Sequence, residues 1–180
     1  MAGLSDQEIE LIAQRIVADL TGRGGVTPAP SSGSSAAPLR DIGIFDTIDE
    51  AVKAASIAFC QFDQLGLKKR NDIIASIRQS MREHGNALAR MAHEETGLGR
   101  YEDKILKNQL VTEKTPGTED LLSNATTGDD GLMLTEAAPF GVVAAITPTT
   151  NPTSTIINNT IAMLAAGNSV VFNVHPSAKR

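Results

Sequence analysis

The chain has one cysteine, Cys60, which excludes an internal disulfide framework and fits a reducing compartment. No apolar run approaches the roughly 18 consecutive residues of a membrane-spanning helix. The N-terminus also lacks the basic stretch, apolar core and small-residue cleavage site of a secretory signal. The formal net charge of −5 is spread without a block of one sign, so neither nucleic acid nor a membrane is an expected partner. No Gly-x-Gly-x-x-Gly fingerprint follows a strand-like run, which argues against an ordinary dinucleotide-binding enzyme of that type. Gly97-Leu98-Gly99 follows a helical pattern instead and reads as a helix stop. His84 and His93 lie on that helical pattern without Cys or carboxylate partners at ligand spacing, so no metal is expected. There is no internal repeat. A chain of 180 residues, 41% hydrophobic and 21% charged, has room for one soluble domain and a short appendage, with the cytoplasm as its expected location.

Three segments are legible. In residues 1–21, Ser5 and Glu8 have capping-box spacing. Ile9, Ile12, Ile16 and Leu20 then recur on one face of an amphipathic helix, with Ala13 and Val17 between them. Such a helix is about 24 Å long at 1.5 Å per residue. Residues 22–40 (GRGGVTPAPSSGSSAAPLR) are dominated by Gly, Pro, Ser and Ala. They form a flexible tether with an expected end-to-end distance of roughly 25 Å. A helix on a tether either packs on its own protein or a neighbouring subunit, or docks its apolar face into a groove of another protein. The pattern leaves both open.

Residues 41–180 form the body. Thr47 and Glu50 repeat the capping-box spacing, and Ile48, Val52, Ala55, Phe59 and Phe62 make an apolar stripe. Cys60, beside Phe59 and Phe62, reads as a structural thiol. A second helical pattern runs from about Lys68 to Glu95, with Ile73, Ile74, Ile77, Met81, Leu88 and Met91 inward and a break or kink expected at Gly85. Short helices around a turn at Thr115-Pro116-Gly117 are expected over residues 100–122. Extended runs follow at 132–137 and 141–146, joined through Pro139.

The chemistry is concentrated between Gly141 and Ala178. GVVAAI reads as a strand buried on both faces. After it come a polar turn, TPTTNPT, a helix from about Ser154 to Ala166 ended by Gly167, and a second strand, SVVFN. This is a β-α-β unit of a parallel sheet, placing the chain in the α/β class. Ligands in such sheets lie beyond the carboxyl ends of the strands, beside the following helix N-terminus. Ile146, Thr147, Pro148, Thr149, Thr150 and Asn151 occupy that position after the first strand, and Asn173, His175, Pro176 and Ser177 after the second. Lys104 and Lys107 could contact a phosphate, but the expectation for them is a solvated helix face.

The motifs GIFDTIDEAV (43–52), EETGLGRYEDKILKN (94–108), TPGTEDL (115–121), EAAPFGVVAAITPTTNPTSTIINN (136–159) and LAAGNSVVFNVHPSAKR (164–180) stand in order through nearly the whole body. In them the chain resembles the CoA-acylating aldehyde dehydrogenases of bacterial microcompartments, the propionaldehyde and acetaldehyde dehydrogenase type. The resemblance implies an aldehyde-dehydrogenase-like fold, with this chain as a helical front plus the first β-α-β unit of an incomplete Rossmann-type NAD-binding domain. It also implies oxidation of an aldehyde with NAD and CoA to an acyl-CoA, through a cysteine thiolate that becomes a thioester. In the family that cysteine lies well after Arg180, so the 180 residues alone are expected to be inactive. Members often carry a tethered leader helix, which implies a shell protein as partner and the microcompartment lumen as location. The 132–137 run resembles the family's subunit-pairing arm and implies a homo-oligomer in the full-length form.

Two departures bear on the site. Ordinary aldehyde dehydrogenases have a Pro-Trp-Asn-Phe-Pro turn whose asparagine stabilises the oxyanion. Aligning Pro148 and Pro152 with its prolines puts Thr150 at that asparagine position. Asn151 is the chemically equivalent donor nearby, and it is the oxyanion candidate; its alternative role is to cap the following helix. After SVVF, ordinary members have a lysine that contacts the ribose, where this chain has Asn173. NAD is the expected cofactor with NADP open, through Ile146, Thr147, Pro148, Thr149, His175, Pro176 and Ser177. His175 is either a ribose or phosphate contact or a loop residue. Two other readings stand beside this one: a non-catalytic shell-docking protein, and the front of a bifunctional aldehyde–alcohol dehydrogenase.

Overall fold

The computed structural model describes residues 43–179. The leader helix, with Ile9, Ile12, Ile16 and Leu20, and the tether lie outside the described residues.

Helix α1 (Ile48–Asp63) starts as its capping residue dictates, with Thr47 Oγ1 accepting the Glu50 backbone N–H at 3.3 Å. Ala55, Phe59 and Phe62 are half-buried, whereas Ile48 and Val52 at the start of the stripe are exposed. Cys60 lies outside the Ala55–Phe59–Phe62 stripe and is exposed, so it is not the packed structural thiol that its neighbours suggest.

Helix α2 (Leu67–Thr96) runs unbroken for 30 residues. Gly85 does not break it. That glycine is buried, a Cβ there would stand 3.9 Å from Asn108 Cβ, and its carbonyl accepts Asn108 Nδ2 at 3.0 Å. Its helical cost of about 1 kcal/mol accompanies the close approach of the next helix. Met91, expected inward, is exposed, and Ala89 and Ala92 hold the buried positions beside it. Gly97 ends α2 at φ 64°, donating to His93 O at 2.9 Å.

Helix α3 (Tyr101–Lys114) is one helix rather than several short ones, followed by a 3₁₀ turn (Thr118–Asp120). Its C-terminal carbonyls are capped by Arg78 of α2, which donates to Thr112 O and, at 2.7 Å, to Thr115 O. Strands β1 (Asn124–Gly128) and β2 (Gly131–Thr135) make an antiparallel hairpin around Asp129 and Asp130. The sequence pattern did not mark β1: NATTG has no apolar alternation, and every residue of the hairpin is exposed.

Strands β3 (Val142–Ile146) and β4 (Ser169–Asn173) pair in parallel, Val142 opposite Ser169 and Ile146 opposite Asn173, with helix α4 (Pro152–Ala165) between them in sequence. Asn168 Oδ1 accepts the N–H groups of Phe140 at 2.6 Å and Gly141 at 3.0 Å, tying the starts of the two strands together. Gly167 turns α4 into β4 at φ 83°; a Cβ there would come within 3.1 Å of the Arg70 guanidinium, which itself donates to Ala165 O at 3.2 Å. Burial of GVVAAI on both faces is not found. Ala145 is 5% exposed, while Ala144 and Ile146 are exposed and Ile146 reaches 82%, because alternate side chains point to opposite faces and the described residues cover one.

The core lies among the helices. Ile74 of α2 packs with Ile157, Ile161 and Ala165 of α4, and Ile77, Met81 and Val111 close around them. α4 is therefore the shared wall between the strand pair and the α2–α3 pair. Truncating Ile161, which is 0% exposed, removes contacts from this junction at a cost of about 2–5 kcal/mol.

The apolar face at Ala144 and Ile146, together with the exposed Leu132, Met133 and Leu134, predicts self-association of the isolated 180-residue chain. Size-exclusion chromatography with light scattering is expected to show heterogeneous oligomers. A monodisperse monomer with a sharp thermal transition contradicts this.

Candidate functional site

The parallel register brings two polar segments to one end of the strand pair. Thr147, directly after β3, donates its backbone N–H to Asn173 O at the end of β4 at 3.1 Å. Ile146–Thr149 and Asn173–Ser177 therefore meet at the carboxyl ends of adjacent strands, where open parallel sheets hold ligands. Pro148 is exposed and Thr149 half-buried. Thr147 is 1% exposed, and its Oγ1 has no hydrogen-bond partner. On the β4 side, His175 Nδ1 accepts the Ser177 N–H at 3.1 Å, and Asn173, His175, Pro176 and Ser177 are all exposed. The segment is then anchored, with Ala178 donating to His175 O at 2.9 Å and Lys179 to Glu95 Oε1 of α2 at 2.9 Å.

Asn151 occupies the N-cap position of α4, with Pro152 buried at the first helical position. The side-chain cap expected of an asparagine there is not made. Its Oδ1 accepts Lys107 Nζ at 2.7 Å instead, and its Nδ2 has only a 3.5 Å contact to Thr150 Oγ1. The α4 N-terminus thus keeps uncapped N–H groups beside the strand ends, an arrangement that favours negative charge.

Helix α3 holds this turn from behind. Lys104, 8% exposed, donates to Thr150 O at 3.2 Å. Asn108, 2% exposed, donates to Gly85 O and accepts Thr153 Oγ1 at 3.0 Å, linking α2, α3 and α4 through one amide. Asn158 of α4 donates to Thr115 Oγ1 at 3.0 Å. The expectation of a solvated lysine face is therefore wrong for Lys104 and incomplete for Lys107, which is exposed yet bonded. Burial holds the Lys104 ammonium below the ordinary lysine range, and the Lys107 charge adds to the shift. The signal for this role was the 104/107/108 spacing, which puts all three side chains on one helical face. Nothing in the sequence showed which element that face meets.

The aldehyde dehydrogenase family model matches residues 30–179. This chain belongs to the aldehyde dehydrogenase family. Among curated relatives it is 46% identical over 178 residues to the acetylating acetaldehyde dehydrogenase of Bilophila wadsworthia, a match covering 97% of this chain and 36% of that protein. Among solved structures it is similar to a propionaldehyde dehydrogenase from the fucose-utilisation microcompartment of Clostridium phytofermentans, at 55% identity and TM-score 0.74, over 76% of this chain and 31% of that one. It is also similar to the Rhodopseudomonas palustris propionaldehyde dehydrogenase solved with bound CoA and an acylated cysteine, at 52% identity and TM-score 0.74, over 76% and 31% of the two chains. The resemblance to CoA-acylating members is thus carried by sequence and fold together. The chain spans about a third of the length of the curated relatives it matches, 36% for the Bilophila enzyme. Among the described residues of this aldehyde dehydrogenase segment, no helix is long and apolar enough to cross a membrane.

Lys104 yields a pH prediction. Its proton is held less tightly folded than unfolded, so between the lowered folded pKa and the ordinary lysine value the unfolded state binds more protons and stability rises with pH. The wild-type chain within its full-length protein is expected to gain denaturation midpoint relative to Lys104→Met between pH 7 and pH 10. A constant difference across that range counts against the buried ammonium.

Proposed function

We propose that residues 43–179 are the N-terminal part of an enzyme that converts an aldehyde, CoA and NAD⁺ to an acyl-CoA, NADH and a proton. The observation that carries the reading is the end of the parallel strand pair, where exposed and half-buried polar residues from both strands stand beside an uncapped helix N-terminus in a chain of this family.

The residues suit a dinucleotide. Ile146 offers an 82% exposed apolar surface to a flat ring. Thr147, Pro148 and Thr149 border it, and the α4 N-terminus offers positive potential to phosphate oxygens. Because His175 Nδ1 accepts the Ser177 N–H, the proton of the neutral ring lies on Nε2, free to donate to a ribose hydroxyl or phosphate. Pro176 and Ser177 shape the same edge. Asn173 stands at the end of β4 where ordinary members have the ribose-contacting lysine, and NAD is the cofactor of this reading, with NADP open. When bound, NAD accepts the hydride. The chain's own part is to bind and orient the nucleotide and to offer Asn151 Nδ2 to the oxygen of the reacting carbonyl as negative charge develops there.

The sulfur must come from elsewhere. Cys60, the sole cysteine of the 180 residues, lies on α1 and not among the strand-end residues, and this reading assigns the nucleophile to the part of the relatives' length that these residues do not span. Residues 1–21, expected as an amphipathic leader helix, are assigned in this reading to contact with a microcompartment shell protein, with the lumen as the enzyme's location. The exposed β1–β2 hairpin is assigned to pairing between copies of the full-length protein.

A spectrophotometric assay for NADH formation, dependent on aldehyde and CoA, tests the activity. The full-length protein is expected to turn over and the 180-residue chain alone to give none; turnover by the 180 residues overturns the assignment of the nucleophile. Deleting residues 1–21 is expected to abolish co-purification with shell protein while leaving turnover intact. Unchanged co-purification removes the targeting role.

A further inference from the structure

We infer that Lys107 is a positioning residue for the reaction, orienting the Asn151 amide so that its N–H₂ end faces the reacting carbonyl. This rests on the proposed role of Asn151 as the oxyanion donor.

An asparagine amide has opposite ends, an oxygen that accepts and a nitrogen that donates. Turned one way it stabilises a developing oxyanion, and turned the other way it repels one. The two ends have the same shape, and a neighbour of definite hydrogen-bonding character decides between them. Lys107 decides because an ammonium has donors and no acceptor, so the contact at 2.7 Å admits only Oδ1. Nδ2 is thereby turned away from the lysine, and its remaining contact is the long one to Thr150 Oγ1.

The surroundings leave little else for Lys107 to do. The backbone on one side of Asn151 is pinned by Lys104 at Thr150 O, and Thr153 on the other side bonds Asn108. Lys104, Lys107 and Asn108 share a face of α3, so a single rigid helix holds the turn at three points. Rotation of the amide is the freedom that remains, and Lys107 removes it. The helix forgoes an asparagine cap in consequence. A cation on Oδ1 also polarises the amide and strengthens its N–H donors.

The test is a double-mutant cycle in the full-length protein with Lys107→Met, Lys107→Arg, Asn151→Ala and the Lys107→Met/Asn151→Ala pair. Asn151→Ala is expected to lower kcat about 10²- to 10³-fold, as loss of an oxyanion donor does. Lys107→Met is expected to lower kcat about 10- to 100-fold, the scale of a misplaced group, with KM for NAD and CoA within about twofold. Lys107→Arg, which keeps the donor-only cation, should recover most of the loss, and the pair should be no slower than Asn151→Ala alone. A slow Asn151→Ala beside a normal Lys107→Met overturns the positioning role and leaves the oxyanion reading standing. A silent Asn151→Ala overturns the oxyanion reading, and the positioning role with it. A readout independent of turnover is the neutron structure of Lys107→Met, which distinguishes the amide ends; the Asn151 amide is expected to reverse or to lose a single orientation, and an amide that keeps Nδ2 where the wild type has it sinks the inference.

Discussion

The contact on which the site depends is between one face of α3 and the turn that follows β3. A turn of Thr, Pro and Asn residues has few apolar atoms to pack and would sample many conformations if attached only at its ends. Here its backbone is bonded by a buried lysine at Thr150, its asparagine by a second lysine, and the first turn of α4 by Asn108. Asn108 simultaneously bonds the Gly85 carbonyl, so the same amide sets how closely α2 and α3 approach. Removing one partner of such a buried network leaves the others unsatisfied, which costs about 1–3 kcal/mol per group.

This arrangement has an electrostatic consequence. Two lysines three residues apart repel each other, and one of them is buried. An apolar residue at either position would relieve that penalty, but it would also leave a carbonyl or an amide oxygen of the turn without its donor. The lysines hold one side of the turn at Thr150 and Asn151 and leave its other side open. The exposed strand ends and the uncapped α4 N-terminus lie on the open side. They are the chemically unsaturated part of the fold, and it is there that the family's nucleotide and aldehyde chemistry is assigned.

Much of this was legible in the residues. Thr47 announced the start of α1, Gly97 and Gly167 the ends of α2 and α4, and VVAAI and SVVFN the parallel pair, because caps, stops and apolar runs are local properties. The motifs carried the family resemblance for the same reason: they are contiguous. The misreadings were of another kind. Gly85 looked like a helix breaker because its use is to admit Asn108, which is 23 residues away. The β1 strand was invisible because hairpin pairing alone, without burial, makes NATTG a strand. Met91 and Ile146 were expected inward because an apolar side chain says nothing about whether another element arrives to cover it.

The sequence by itself determined the cap of α1, the stops of α2 and α4, the β-α-β order, the family, and which polar residues gather at the strand ends. Tertiary structure alone decided what holds those residues. Whether Lys104 is solvated or buried, and whether Asn151 caps its own helix or yields its oxygen to Lys107, depends on where α3 lies against α4. That placement is set by packing among Ile74, Ile157, Ile161 and Val111, residues far apart in the chain, and hydrophobic packing of this kind has no direction that a local pattern can record.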